Sequence, residues 1–452
     1  MNVATATKFG TPVAKAKLVG LSEEALARLA QEGEKRAWSS RVSRWIPFAQ
    51  VMYNPEFRGP RHVPTSQNPS ELPVVDQKRS GRCWIMAGLN LLRHDSAKRL
   101  GRARDFELSG AYIMFYDKLE KSLLFLDQMW ALKNRPVDNR TVQYLLQHPM
   151  SDGGQFSMFV DLVEKYGCVP AEVMPDTHHA GNTKELNDLL SHVLRFFAED
   201  IRAQDSDQGK NAVIWKACTT VYQVLVDALG PVPREFVLDH KTTLTPQAFY
   251  ASKLLPDDLA SYVALVSVPQ EDRPMFHTFY IAGLGSLVKG RPVKYLNVPL
   301  DVMKRAVMDT LDMNRRVWFG SDVNSCRHEK HAVLDFEAFE YERVLGCQTR
   351  LPRELRLKYR QSAVTHAMVF CGYHKNPDGE PSCFRVENSW GPTHKDGFLD
   401  MTDAWFDEFV YEVLVPPAVL TEKLKQIWHS ADSTPLPLWD PLGVLLGDCC
   451  NQ

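Results

Sequence analysis

Apolar and polar residues recur along this chain with two different periods. In the run CWIMAGLNLLRHDSAKRL, Ile85, Leu89 and Leu92 fall three to four positions apart, which predicts an amphipathic helix beginning at Cys83. The same period predicts helices over 107–132, 154–166, 184–204, 211–229, 301–313 and 402–411, and Ser22 is a suitable N-cap for one opening at Leu21-Ser22-Glu23-Glu24. Farther on the pattern shortens: 262–268, 316–320, 367–373 and 383–388 are brief apolar or alternating runs bounded by turn residues, as strands are. Pro60, Pro64, Pro69 and Pro73 mark an irregular, extended lead-in to the Cys83 helix. Helices early and strands late, with no internal repeat or low-complexity block, predict an α+β enzyme with its site between the two parts.

Length and composition narrow the class. At 452 residues with 44% hydrophobic and 24% charged, the chain can bury a large core, as two to four domains or one core with insertions. Fifty-three basic residues against 55 acidic ones leave a net charge of -2, so no whole-molecule field draws in nucleic acid or an anionic membrane. Nine scattered cysteines, an odd number, with no apolar signal region ahead of them, predict reduced thiols and a cytoplasmic protein. No window approaches the ~18 apolar residues of a membrane helix.

The stretch DQKRSGRCWI puts one thiol between a turn and an apolar run. At a helix start, the Cys83 sulfur lies near unpaired amide N–H groups and the positive end of the helix dipole, both of which favour thiolate. His366 heads a predicted strand and can take the thiol proton. Asn388, 22 positions on (388 − 366), can fix its tautomer through the other ring nitrogen. Gln77 can aim its side-chain NH2, with the Cys83 backbone N–H, at a developing oxyanion. Trp84 follows the cysteine, and Trp390 can cover the His366–Asn388 bond and exclude water. Singly, each has an ordinary reading, since free cysteine is among the most buried residue types and Asn-Ser-Trp-Gly can be only a turn. In the order Gln, Cys, His, Asn, with tryptophan after both Cys and Asn, they point to a thiol enzyme.

That set, Gln77, Cys83-Trp84, His366 and Asn388-Ser389-Trp390-Gly391, resembles the papain-like cysteine peptidases. Nucleophile and histidine lie 283 positions apart (366 − 83), whereas about 130–150 is usual for that family. Ser151-Asp152-Gly153-Gly154-Gln155, Glu164-Lys165-Tyr166-Gly167, Val298–Lys304, Arg385–Gly391 and Trp439-Asp440-Pro441-Leu442-Gly443 narrow the resemblance to the bleomycin hydrolase and aminopeptidase C group, from about 74 to 445. The resemblance implies a papain-like α+β fold, a helical half plus a β-barrel-like half, with a large, mostly helical insertion and an N-terminal extension. The boundaries it implies are 1–73 for the extension, 74–175 for the helical half with the nucleophile, 176–300 for the insertion, 301–435 for the strand-rich half with His and Asn, and 436–452 for a tail in or near the cleft. It further implies a cytoplasmic thiol aminopeptidase acting on peptides and possessing an activity on bleomycin-type amides, with no metal or other cofactor, assembled as a homohexamer. Two alternatives stay open: a papain-fold acyltransferase, and a catalytically idle or nucleic-acid-binding scaffold, the latter opposed by the near-neutral charge.

The chain also departs from that group. Ser80 stands where secreted papain relatives carry a cysteine, which fits a reducing compartment. The tail runs six residues, Gly447–Gln452, beyond the usual end, so the expectation is that it is trimmed or that it alters substrate choice. Cys449-Cys450-Asn451-Gln452 fails as a prenylation box because Asn451 is not aliphatic. His328-Glu329-Lys330-His331 lacks the spacing of a zinc-peptidase helix and reads as a solvated face, as does the basic run Arg350, Arg353, Arg356, Lys358 and Arg360. His178-His179 reads as a polar loop.

Overall fold

The computed structural model describes residues 21–34, 44–59, 72–102, 106–238, 242–254, 258–392 and 394–443. The expectations for Pro60, Pro64 and Pro69, and for the tail beyond Gly443, lie outside the described residues.

Strands come in chain order as β1 (Phe236–Leu238), β2 (Thr242–Leu244), β3 (Val263–Val266), β4 (His277–Ile281), β5 (Lys294–Asn297), β6 (Val317–Ser321), β7 (Arg327–His328), β8 (Val333–Leu334), β9 (His366–Lys375), β10 (Pro381–Glu387), β11 (Phe398–Thr402), β12 (Val410–Val415) and β13 (Ser433–Leu436). β1 and β2 pair with each other, and the rest form one eleven-stranded sheet in the order β13-β4-β5-β3-β12-β6-β9-β10-β11-β8-β7. The strands predicted from 262, 316, 367 and 383 are β3, β6, β9 and β10, which are apolar and largely buried.

The predicted helices form at Cys83–Arg99, Gly110–Ala131, Phe156–Tyr166, Lys184–Arg202, Asp207–Leu229 and Leu300–Asp312. Ser109 caps the second, its hydroxyl accepting from the Tyr112 N–H at 3.1 Å. Helices Cys83–Arg99 and Phe156–Tyr166 meet closely at Gly88, where a Cβ would sit 2.6 Å from the Phe159 ring. Both helices and the sheet share one core containing Trp84, Leu92, Phe159, Trp318 and Ala367.

Three expectations differ from the structure. The helix expected over 402–411 ends at Phe409, and Val410–Val415 is strand β12, paired with both β3 and β6; tertiary pairing and β-branched valines override the helical period there. In the stretch expected as a mostly helical insertion, 176–300, helices occupy the first half and β1–β5 the second, three of which join the main sheet. Asp207–Leu229 is long and apolar enough to cross a membrane by length and composition. Its Val213, Ala217, Val221, Leu225 and Leu229 recur every four residues and are buried in the core.

The chain groups into two compact units, one of the described residues up to Pro55 with Phe339–Thr349, the other of Glu56–Ala338 with the described residues from Arg350 on. In the smaller unit, helix Glu23–Glu34 begins where the Ser22 hydroxyl accepts from Ala25 N–H at 3.2 Å, and Tyr53 bridges Phe339 with ring centroids 5.2 Å apart.

In the larger unit the basic run is not a solvated face throughout. Arg353 donates to the carbonyls of Ser267, Asp407 and Val410, and Arg356, 2% exposed, donates to Leu351 and Glu408. These guanidiniums satisfy carbonyls at the C-terminal end of helix Asp403–Phe409, where positive charge is favoured. His328 likewise is buried, its ring 5.9 Å from Phe57, and His178–Gly181 is a short helix capped by Thr177.

Candidate active site

The turn before Cys83 is locked by its own polar groups. Ser80 Oγ donates to the Gln77 carbonyl at 2.5 Å and accepts from Arg82 Nε at 2.9 Å, while Arg82 pairs with Asp176 at 2.5 and 2.8 Å. Where a secreted relative carries a cysteine, this chain uses a hydroxyl to hold the turn. None of the seven described cysteines is cross-linked in a disulfide.

Asp152 secures the same turn from outside. Its carboxylate accepts from Gly81 N–H at 2.9 Å, from Lys118 Nζ at 2.7 Å, from Asn187 Nδ2 at 2.9 Å and from the Thr183 hydroxyl, and its carbonyl accepts from Trp84 Nε1 at 2.7 Å. Burial works to raise this carboxyl, but Lys118 and the hydrogen bonds hold it well below the usual carboxylate range. Two residues on, a Cβ at Gly154 would sit 2.5 Å from Trp84, so the close packing on the Trp84 ring depends on a bare glycine. Cys83 itself is the first residue of its helix and 4% exposed.

His366 opens β9, fully buried, paired in register with Ser321 of β6. Its Nε2 lies 2.8 Å from Asn388 Oδ1, which also accepts from Ser389 N–H at 2.8 Å. An amide oxygen can only accept, so Nε2 carries the hydrogen and Nδ1 is a bare lone pair. Nδ1 is buried with no partner. The Trp390 ring stacks on His366 with centroids 4.7 Å apart and planes at 28°, and Arg327 lies over the Trp390 ring at 4.5 Å. Burial pushes the imidazolium down, to about 4, against the Asn388 bond and with a further push from Arg327. A neutral ring is the form ready to accept a proton.

Gln77 is fully buried. Its backbone N–H donates to Ser389 O at 2.8 Å, its Oε1 accepts from Ser389 Oγ at 2.5 Å, and its Nε2 donates to Ser80 O at 2.6 Å. One amide hydrogen is thus committed to the turn.

These segments converge through backbone. Asp76 bridges Trp390, Gly391 N–H donates to Val75 O at 3.0 Å, Trp318 Nε1 donates to Trp84 O at 3.3 Å, and the Cys83–Arg99 helix packs against β9. The structure therefore brings Gln77, Cys83, Trp84, His366, Asn388 and Trp390 into one region.

Behind Asn388 lies a charge cluster that sequence reading missed. Glu387 is fully buried and paired with His94 at 2.8 Å, Arg93 at 3.3 Å and Arg316. Burial opposes its ionisation, but His94, Arg316 and Arg93 hold it down to about 2. Arg93 also donates to Pro73 O at 2.6 Å, so one guanidinium joins the Cys83 helix, the strand ending at Glu387 and the lead-in to Gln77. Asp152 and Glu387 each had a signal, the Ser151–Gln155 and Arg385–Gly391 motifs; Arg93 and Arg327 had none. Among the described residues no group of three or more His, Cys, Asp or Glu is placed to hold a metal.

Comparison with known proteins gives consistent matches. The Peptidase C1-like family matches residues 25–443. The chain is 36% identical over 383 residues to aminopeptidase C of Listeria monocytogenes, covering 82% of this chain and 86% of that one. It is 34% identical over 394 residues to bleomycin hydrolase of Gallus gallus, with 82% and 86% covered. The crystal structure of PepW from Lactobacillus rhamnosis superposes with a TM-score of 0.86 at 31% identity, covering 94% of this chain and 99% of that one.

Proposed function

This chain belongs to the Peptidase C1-like family and is a thiol aminopeptidase of papain-like fold, and from that premise we propose how its residues act. Cys83 attacks the peptide carbonyl. His366 Nδ1 takes the thiol proton and returns it to the leaving amine, Asn388 holds the ring, and Gln77 with the Cys83 amide stabilises the oxyanion before water releases the acyl-enzyme. The observation that carries this reading is the buried His366 ring, tethered at Nε2 by Asn388 and bare at Nδ1.

Removal of residues from the N-terminus is supported by where the described tail lies. The Leu442 carbonyl accepts from Gln155 Nε2 at 3.0 Å and Tyr295 OH at 3.1 Å, and Asp440 pairs with Arg273. Gln155 directly follows the Gly154 that packs on Trp84, which supports a tail that stops the cleft to longer chains. The test is turnover of one short peptide with a free and with a blocked amine: a strong preference for the free amine supports the reading, and equal turnover defeats it. Intact mass of the purified protein decides whether the tail is trimmed. A full-length mass with strong turnover sinks trimming.

Peptides are the substrates, with bleomycin-type amides cleaved through broad specificity, in the cytoplasm. Assembly as a homohexamer is supported by Leu189, Phe196, Trp215 and Tyr222, exposed on the Lys184–Arg202 and Asp207–Leu229 helices. Sedimentation velocity reads it: a six-chain mass supports it, a monomer contradicts it.

A further inference from the structure

A cavity of about 300 Å3 lies between the Phe156–Tyr166 helix and strands β3, β5 and β12. It contains none of Gln77, Cys83, His366 or Asn388. Phe156, Val160, Tyr262, Val293 and Leu414 give it apolar walls. Three polar atoms of its lining are buried with no partner, and all are oxygens: Glu412 Oε2, Gln155 Oε1 and Ser157 Oγ. Glu412 is 2% exposed, on the buried strand β12. A carboxyl left there without a donor is unfavourable, and native structures seldom keep such a group without a use.

The cations lining the cavity are committed elsewhere. Arg291 binds Asp161 and, at 2.6 Å, Glu164; Lys294 donates to the carbonyls of Trp428 at 2.6 Å and Ser430 at 3.3 Å. A complementary ligand must bring hydrogens for the oxygens, a positive charge for Glu412 and an apolar body for the walls.

We propose that this cavity is a binding site for a primary ammonium ion on a short apolar stem, with Glu412 as its counter-charge. An ammonium has three hydrogens and no acceptor, matching a lining whose open polar atoms are oxygens. Burial pushes the Glu412 carboxyl up, to about 8, so an arriving cation expels a proton. The titratable groups lining the cavity with it, Tyr262, Tyr295, Arg291, Lys294 and His429, are phenolic or basic and offer no second carboxylate. Occupancy also bears on the tail, because Gln155 and Tyr295 both line the cavity and hold the Leu442 carbonyl. The ammonium can come from a free aliphatic amine or from a lysine side chain of a peptide.

The test is calorimetric titration of the full chain carrying Cys83→Ala, so that peptides are not consumed, with n-hexylamine, n-hexanol and hexanoate at pH 7. The expected result is saturable hexylamine binding, at least about tenfold tighter than hexanol or hexanoate, with net proton release seen by comparing buffers. Adding Glu412→Gln weakens hexylamine about tenfold or more. If that variant does not fold, Ala260→Trp, which fills the cavity from its half-buried edge, abolishes binding instead. Displacement of hexylamine by Lys-Gly-Gly but not by norleucyl-Gly-Gly assigns the ammonium to a peptide side chain, and failure to displace assigns it to a free amine. Equal binding of hexylamine and hexanol, or hexylamine affinity unchanged by both substitutions, overturns the proposal. Because catalysis is disabled throughout, neither outcome depends on the reading of Cys83.

Discussion

Two buried glutamates in the larger unit differ in what surrounds them. Glu387, at the end of β10, meets His94, Arg93 and Arg316, and its carboxyl is held down to about 2. Glu412, in β12, meets no donor, and burial pushes it up to about 8. Burial opposes charge at both. The partners decide the outcome, so one carboxylate is fixed machinery behind Asn388 and the other is left open to whatever enters its cavity.

The largest effect expected on this contrast comes from Glu387→Leu. It leaves Arg93 and Arg316 buried without an anion, which costs about 3–5 kcal/mol by analogy with broken buried pairs, and unseats Asn388, so peptidase activity falls with stability. Denaturant unfolding alongside kcat checks both. If stability drops and kcat holds, Glu387 does not position Asn388.

Glu412→Leu is expected to act in the opposite direction, and only at higher pH. The folded pKa of Glu412 lies above the ordinary 4.5, so its stabilising contribution is complete below pH 4.5 and is lost as pH rises towards 8. Glu387 has a folded value below 4.5, so its contribution is present above pH 4.5 and is lost as pH falls towards 2. Glu412→Leu should therefore raise stability at pH 8 by about 2–3 kcal/mol and do little at pH 5. An equal change at both pH values contradicts the assignment. The smallest effect is expected from Ser389→Ala, which removes the bond to Gln77 Oε1: stability changes by about 1 kcal/mol, while kcat falls about tenfold as the Gln77 amide loses its orientation. Unchanged kcat would place Gln77 outside oxyanion stabilisation.

How much of this was legible follows the same division. Cys83, His366 and Asn388 each carry a local signal, a helix start, a strand head and a turn; in the structure His366 bonds Asn388, and the Cys83 helix packs on the strand that His366 opens. The Asp152–Lys118 and Glu387–His94 contacts join residues 34 and 293 positions apart, and no periodicity reports such pairs. Arg353 and Arg356 were misread because their targets are backbone carbonyls at 407–410, which have no composition of their own. Strand β12 was hidden by the helical spacing before it, and β13, Ser433-Thr434-Pro435-Leu436, is an edge strand whose proline mutes the strand pattern.

The central claim is that His366 activates Cys83, and the most direct measurement is the rate of iodoacetamide alkylation of each thiol near pH 7, read by peptide mass. Exposed Cys347 serves as the internal reference. The account predicts that Cys83, though buried, reacts at least about tenfold faster than Cys347 and loses that excess in His366→Ala. A Cys83 no faster than Cys347, or an excess that survives loss of the imidazole, would contradict it.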